Sequence, residues 1–314
     1  MYLFINRHAA YYQAYALQLK RAVGAQELTW GLMSCPQRLS PQELDPLIGV
    51  RLALEPICEA DSPEALIEVT QRCALESEPF VIEYSRIQKR VGRWPSRRLM
   101  GQLALQIKGE ISYDHPQVRF YLIESAERYY LTRLVHIPTW PKPSYAHRPH
   151  AYSAAISSEL AALAINAVSQ MGDRIIDPTC GSGTIIYEAL QRGRSAKGYD
   201  HKWSWVTGAR DNLEAFGFSS VQDKKRFVAH ADARDLDDSA DAIVANLPYG
   251  RVVAIDMSRL ESILRQLKHC AQHFAFFSGQ DLSKVLDQLE YTNIQSLDLS
   301  IQASHQRFLC FAKG

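Results

Sequence analysis

The stretch Asp177-Pro178-Thr179-Cys180-Gly181-Ser182-Gly183-Thr184 limits most what this chain can fold into. It follows the apolar pair Ile175-Ile176 and precedes the helix-forming run from Thr184 to Arg192. It therefore reads as the turn from a buried strand into a helix. Glycines at 181 and 183 let a ligand approach the backbone where a side chain would block it. From about residue 152 apolar strands alternate with helices, the mark of a doubly wound parallel sheet. The pattern predicts strands at 174–177, 196–200, 227–230, 242–245 and 274–277. It predicts helices over 158–169, 184–192, 205–216, 260–269 and 280–289. Segments 294–299 and 308–311 read as consecutive strands, a terminal antiparallel hairpin.

The N-terminal half is of a different kind. Strands are expected at 2–6 and 50–55, with helices over 12–23 and from 61–64 onward to 74. A second α+β unit follows: a strand at 80–84, a helix over 96–111, and a hairpin of 118–123 with 129–135. Four prolines among residues 137–150 make that stretch a linker. Residues 81–150 carry 12 Lys/Arg against 5 Asp/Glu, although the whole chain has a net charge of only +1. Such a basic segment suits a polyanion partner.

With 314 residues the chain is long enough for two domains. Its six cysteines are scattered, with no CxxC pair, which favours reduced thiols in the cytoplasm over disulfides or a zinc site. No signal peptide or membrane-spanning run is expected. His147 and His150 have no Cys or acid nearby in sequence, so no metal site is expected.

The amides at a helix start hold a carboxylate, as they would a phosphate. Asp177, at the strand end, is placed to accept from an ammonium. S-adenosylmethionine carries both groups. Asp200 ends the next strand, 19 residues after Gly181, where an acid binds ribose hydroxyls. Asp232 ends the following strand and can accept from an adenine amino group. A lone glycine turn is also an ordinary strand–helix junction, but three acids at three strand ends favour the nucleoside reading. A nicotinamide fingerprint needs a further glycine where this chain has Ile186.

Asn246-Leu247-Pro248-Tyr249 follows the apolar strand at 242–245 and lies 65 residues after Gly181. It turns the chain at the sheet edge where open α/β sheets bind ligands. The Asn246 side-chain oxygen and the Leu247 carbonyl can both accept from an exocyclic amine and orient its lone pair toward a sulfonium methyl. Pro248 stiffens the turn, and Tyr249 offers a face on which a base can stack. Reaching a base amine in this way means taking the base out of its stack. Positioning and electrostatics would carry the catalysis, with no strong general base.

Arg86, Lys89, Arg90, Arg93, Arg97 and Arg98 fall within thirteen residues that contain no acid, with Trp94 among them and Tyr84 just before. Cations with interleaved rings are a common RNA-contact composition.

On these motifs the chain resembles the class I, S-adenosylmethionine-dependent RNA methyltransferases that carry a THUMP domain, especially the tRNA guanine-N2 methyltransferases. The resemblance implies an α/β fold: a C-terminal doubly wound Rossmann-like methyltransferase sheet with a terminal antiparallel hairpin, preceded by ferredoxin-like and THUMP-like α+β parts. The implied domains are 1–74 ferredoxin-like, 75–136 THUMP-like and RNA-binding, 137–151 linker, and 152–314 methyltransferase. Carried over by position, Asp177, Thr179, Cys180, Gly181, Gly183 and Thr184 form the cofactor loop, with Asp200, Asp232, Ala233 and Asn246 completing the cofactor contacts. Asn246, Leu247, Pro248 and Tyr249 form the catalytic motif. The implied cofactor is S-adenosylmethionine and the implied substrate tRNA. The chain departs from the family at Ser153 and Ser158, where prolines are usual. It departs also at Asn246, where the branch acting on tRNA position 10 usually has Asp. These departures leave the target nucleotide, the number of methyls and the need for a partner protein open. Other planar amines suit the same clamp: adenine N6 in DNA or RNA, guanine N2 in ribosomal RNA, or a protein glutamine amide. A non-catalytic RNA-binding protein is the reading from another class.

Overall fold

The computed structural model describes residues 2–5, 11–87, 96–125, 128–139, 148–152, 155–218, 227–247, 256–300 and 306–314. The chain divides into two compact units, Met1–His8 with Val23–Trp140, and Ala9–Ala22 with Pro141–Gly314. The first helix, α1 (Tyr12–Val23), therefore counts almost wholly with the second unit.

The first unit is one seven-stranded sheet. Its strands are β1 (Tyr2–Ile5), β2 (Gln26–Thr29), β3 (Leu32–Ser34), β4 (Val50–Ala60), β5 (Phe80–Arg86), β6 (Val118–Glu124) and β7 (Tyr129–His136), in the order β2-β3-β1-β4-β7-β6-β5. Only β5 and β6 run parallel. A short helix, α2 (Pro41–Leu44), joins β3 to β4, and α3 (Pro63–Arg72) and α4 (Ser96–Ala104) complete the unit. The α3 start is set by Ser62, whose hydroxyl accepts from the Ala65 amide at 3.1 Å, with Pro63 in the first turn. Leu66, Phe80, Leu99, Leu103, Phe120, Leu122 and Leu131 form the core beneath these helices.

One helix is shorter than the sequence pattern predicts. The expected helix over 96–111 ends at Ala104. Residues 105–107 still bond back to the end of the helix, the Leu105 amide to Gly101 O at 3.2 Å and the Ile107 amide to Ala104 O at 3.2 Å. From Lys108 onward the partners change: the Lys108 amide donates to Leu75 O at 2.8 Å and the Phe80 amide to Glu110 O at 2.8 Å. Leu105 is left 80% exposed, while Ile107 turns back into the core. The sheet joins strands from both sides of residue 75. Strand β4, from before it, pairs with β7, from after it, from Ala53 to Ala60.

The second unit contains α5 (Ser158–Val168), β8 (Arg174–Asp177), α6 (Thr184–Gln191), β9 (Ser195–Asp200), α7 (Trp203–Ala215), β10 (Val228–His230), β11 (Ala242–Asn246), α8 (Met257–Leu267), β12 (His273–Ser278), α9 (Ser283–Gln288), β13 (Thr292–Asp298) and β14 (Phe308–Lys313). The strand order is β10-β9-β8-β11-β12-β14-β13. The first five are mutually parallel, and β14 runs antiparallel to both β12 and β13, as the terminal hairpin required. Ile243, Phe274, Phe276, Leu264 and Leu267 lie in its core. Helix α1 is fastened to α5: Tyr15 donates to Glu159 Oε1 at 2.5 Å, and Asn166 Nδ2 donates to Gln18 Oε1 at 3.1 Å. The chain turns from β8 toward β9 on one side and later returns to β11 on the other. The crevice of such a sheet opens at the carboxyl ends of those two neighbours, β8 and β11.

Candidate active site

Asp177 is the last residue of β8 and is 1% exposed. Burial pushes its carboxyl up to about 8; the Thr179 amide, donating to Oδ1 at 3.0 Å, opposes this, and the nearby Asp200 charge adds to it. A buried carboxyl of this kind is poised to become an ion when a cation arrives. The chain then turns through Gly181 at φ +47° and Gly183 at φ +79°, left-handed conformations that suit glycine. Gly183 is the N-cap of α6. A Cβ there would lie 3.3 Å from the Ala209 Cβ on α7, so close helix packing as well as backbone conformation calls for glycine. At 183 this packing is a reason the sequence reading, which looked to ligand approach, did not contain.

Asp200 ends β9 as expected and holds the loop from the side. Its Oδ2 accepts from the Gly181 amide at 3.1 Å and its Oδ1 from the Lys202 amide at 2.9 Å. Each carboxylate oxygen can accept more than one donor, so these bonds leave capacity for a diol. Cys180 is buried, its amide donates to Tyr199 O at 2.8 Å, and burial pushes its thiol well above the ordinary range. It packs over Gly198 and has no character of a nucleophile. The Thr184 hydroxyl is buried and accepts from Arg148 Nη1 at 3.1 Å.

Asp232 follows β10, and its carboxylate is engaged by Arg234 at both oxygens: Oδ1 by the amide and Nε, Oδ2 by Nη2 at 2.8 Å. That pairing holds it down at about 2, so it is an anion at any working pH. Ala233 beside it is buried.

The Asn246-Leu247-Pro248-Tyr249 stretch begins where β11 ends. Asn246 is half-buried and Leu247 is 2% exposed. The Thr179 hydroxyl donates to the Asn246 carbonyl at 3.1 Å, tying the glycine loop to the clamp. Pro248 and Tyr249 lie outside the described residues.

Sequence reasoning missed several parts of this site. Asn212, on α7 and 1% exposed, donates to His150 O at 2.9 Å and Ser182 O at 3.0 Å and accepts from the His150 amide at 3.0 Å. It thereby straps residues 148–152 onto the loop. Tyr152 lies against Trp205, with ring centroids 5.3 Å apart. A polar residue on the buried side of a helix was the only available signal for Asn212.

Of the expected RNA contacts, Arg97 and Arg98 are exposed on α4, and Lys89, Arg90 and Arg93 lie outside the described residues. Arg86 is held within its own sheet, its Nε donating to the Tyr84 hydroxyl at 2.8 Å and to Glu124 Oε2 at 3.2 Å. Among the described residues no group of three or more His, Cys, Asp or Glu is placed to hold a metal, and no helix is long and apolar enough to cross a membrane.

Residues 146–275 match the family model described as "UPF0020: RMKL-like, methyltransferase domain". That match covers fewer than half of the 314 residues and includes both the glycine loop and Asn246. Over 191 residues the chain is 31% identical to a tRNA (guanine(10)-N2)-dimethyltransferase of Methanothermobacter thermautotrophicus, covering 58% of this chain and 55% of that protein. Over 169 residues the chain is 27% identical to the human U6 snRNA (guanine-N(2))-methyltransferase THUMPD2, covering 51% of this chain and 33% of that one. The chain thus spans about half the length, or less, of the curated relatives it matches. A crystal structure of TrmN from Thermus thermophilus aligns over 100% of this chain and 99% of its own, at 18% identity and a TM-score of 0.51, which establishes the fold. The matched residues include β8 to β11, the strands whose ends bear Asp177, Asp200 and Asn246.

Proposed function

We propose that this chain transfers a methyl group from S-adenosylmethionine to the exocyclic N2 amine of a guanosine in tRNA. The observation that carries this reading is the placement of Asp177 and Asn246 at the carboxyl ends of two neighbouring strands, with Thr179 bonded to both motifs. The residues fit the cofactor: Asp177 is a buried acceptor suited to its ammonium, the left-handed glycine loop leads into a helix start suited to its carboxylate, Asp200 suits its ribose, and Asp232 is an anion near the adenine end. S-adenosylmethionine supplies the methyl on its sulfonium. Asn246 Oδ1 and the Leu247 carbonyl hold the amine by its two hydrogens and aim its lone pair. The amine loses its proton after transfer, so no buried base is required.

Both relatives reported above are named for guanine-N2 chemistry, one on tRNA and one on U6 snRNA, which supports guanine N2 over adenine N6 or an amide. In this reading residues 75–136 are a THUMP-like RNA-binding part, with Arg97 and Arg98 among its phosphate contacts. Six free cysteines support a reducing compartment such as the cytoplasm. Calorimetry tests the cofactor: S-adenosylmethionine binds, and Asp177→Ala abolishes binding. Absence of any binding would favour a non-catalytic RNA-binding protein. Labelling of U6 snRNA but not tRNA would keep the chemistry and replace the substrate.

A further inference from the structure

The glycine loop and the clamp meet at a single peptide group. The carbonyl of Asn246 accepts from Thr179 Oγ1 at 3.1 Å, and the amide of Leu247, the other end of the same peptide unit, donates to Phe277 O at 3.0 Å. A peptide unit is planar and stiff. Holding it at both ends fixes its plane, and with it the direction in which the Asn246 side chain leaves the backbone and the place where Leu247 begins. The two anchors differ in kind. Phe277 lies opposite Asn246 in the β11–β12 pair, so its bond continues the sheet ladder. The Thr179 bond comes from a side chain two residues past the end of β8 and depends on one hydroxyl. Thr179 also donates its amide to Asp177 Oδ1 at 3.0 Å. One residue therefore touches both the acceptor for the cofactor ammonium and the carbonyl at the root of the amine clamp.

We propose that Thr179 is a positioning residue for methyl transfer: its hydroxyl sets the Asn246–Leu247 peptide plane and so aims the two acceptors that hold the amine. This inference rests on the function proposed above and assigns Thr179 a task beyond contact with the cofactor. Serine keeps the hydroxyl at this position, whereas valine keeps the shape and removes the donor.

The test uses the full chain with Thr179→Val and Thr179→Ser. Three quantities are read: kcat with KM for tRNA, the calorimetric Kd for S-adenosylmethionine, and hydrogen exchange at the Leu247 amide with the Ile176 amide as internal control. Thr179→Val is expected to lower kcat by about ten- to hundredfold while Kd stays within about threefold. Leu247 exchange rises about tenfold and Ile176 exchange stays as it was. Thr179→Ser returns kcat and exchange to within about threefold of the wild type. Wild-type kcat and exchange in Thr179→Val would overturn the proposal. So would a loss confined to cofactor Kd, which makes Thr179 a cofactor contact only, or a serine variant as impaired as valine. Should the wild-type chain methylate no guanosine, the functional reading falls, and unchanged or accelerated Leu247 exchange still decides whether Thr179 holds this peptide.

Discussion

Asp200 Oδ2 accepts a hydrogen bond from the Gly181 amide at 3.1 Å, so the end of β9 fixes the loop that leaves β8. The residue read as the ribose acceptor is thus also a brace for the turn beside it. Asp200→Ala removes both roles, leaving a loop amide without its acceptor, and is expected to cost about 1–3 kcal/mol of stability in denaturant unfolding as well as most cofactor affinity. Asp200→Asn retains one acceptor oxygen and falls between the wild type and alanine in both measurements.

Asp177 gives a pH dependence whose sign follows from its burial. Its carboxyl is raised to about 8 in the fold, against about 3.9 in the unfolded chain, so the native state holds the extra proton. Its contribution to stability is fully present below about pH 4 and is lost as pH rises toward 8, at a slope approaching ~1.4 kcal/mol per pH unit between those values. Asp177→Asn flattens that part of the stability profile. An ammonium reverses the preference, so cofactor binding near pH 7 releases up to about one proton, seen by calorimetry in buffers of different ionisation heat. The variant releases none.

Gly198 lies beneath the loop. A Cβ there would sit 2.8 Å from the Cys180 Cβ and 3.0 Å from its sulfur. Gly198→Ala is expected to cost about 1–3 kcal/mol by overpacking and to lower cofactor affinity, because the displaced atoms belong to the cofactor loop. Gly101→Ala, on α4 with open space around it, serves as the control and stabilises by about 0.5–1 kcal/mol.

Helix α1 is part of the unit that holds Asp177 and Asn246. Its Tyr15 is 1% exposed and donates to Glu159 on α5, so Tyr15→Phe is expected to cost about 1.5–3 kcal/mol in unfolding of the second unit. Leu19→Ala in the same helix is expected to cost about 2–5 kcal/mol, because Leu19 is fully buried. Thermal unfolding of the two variants compares them directly.

Much of the second unit was legible because each parallel strand is a short apolar run and each following helix has its own period. Strand β8 and helix α1 match their expected ranges residue for residue. What stayed hidden depends on partners distant in sequence. The composition of α1 predicts a helix, but not that Ala14 to Leu19 are buried without a break or that Tyr15 and Gln18 find partners on α5. Strand β4 pairs with β7, some seventy residues on, a pairing no local pattern records. Residues 108–111 continue a helical composition, yet the Lys108 amide and the Glu110 carbonyl are bonded to Leu75 and Phe80. At the site, Asp177, Asp200 and Asn246 were legible from strand ends, whereas Asn212 and the bond from Thr179 to Asn246 are products of tertiary folding. Arg86 shows the converse: a charge run suggests phosphate contacts, but one member is taken up by Glu124.

The most direct test of the central claim is methyl transfer from labelled S-adenosylmethionine to unmodified tRNA, with nucleoside analysis, for the wild-type chain and Asn246→Ala. The account predicts labelled N2-methylguanosine with the wild type and a loss of at least about a hundredfold with Asn246→Ala, while the variant keeps its fold. Label on adenine N6, or Asn246→Ala transferring at the wild-type rate, would contradict it.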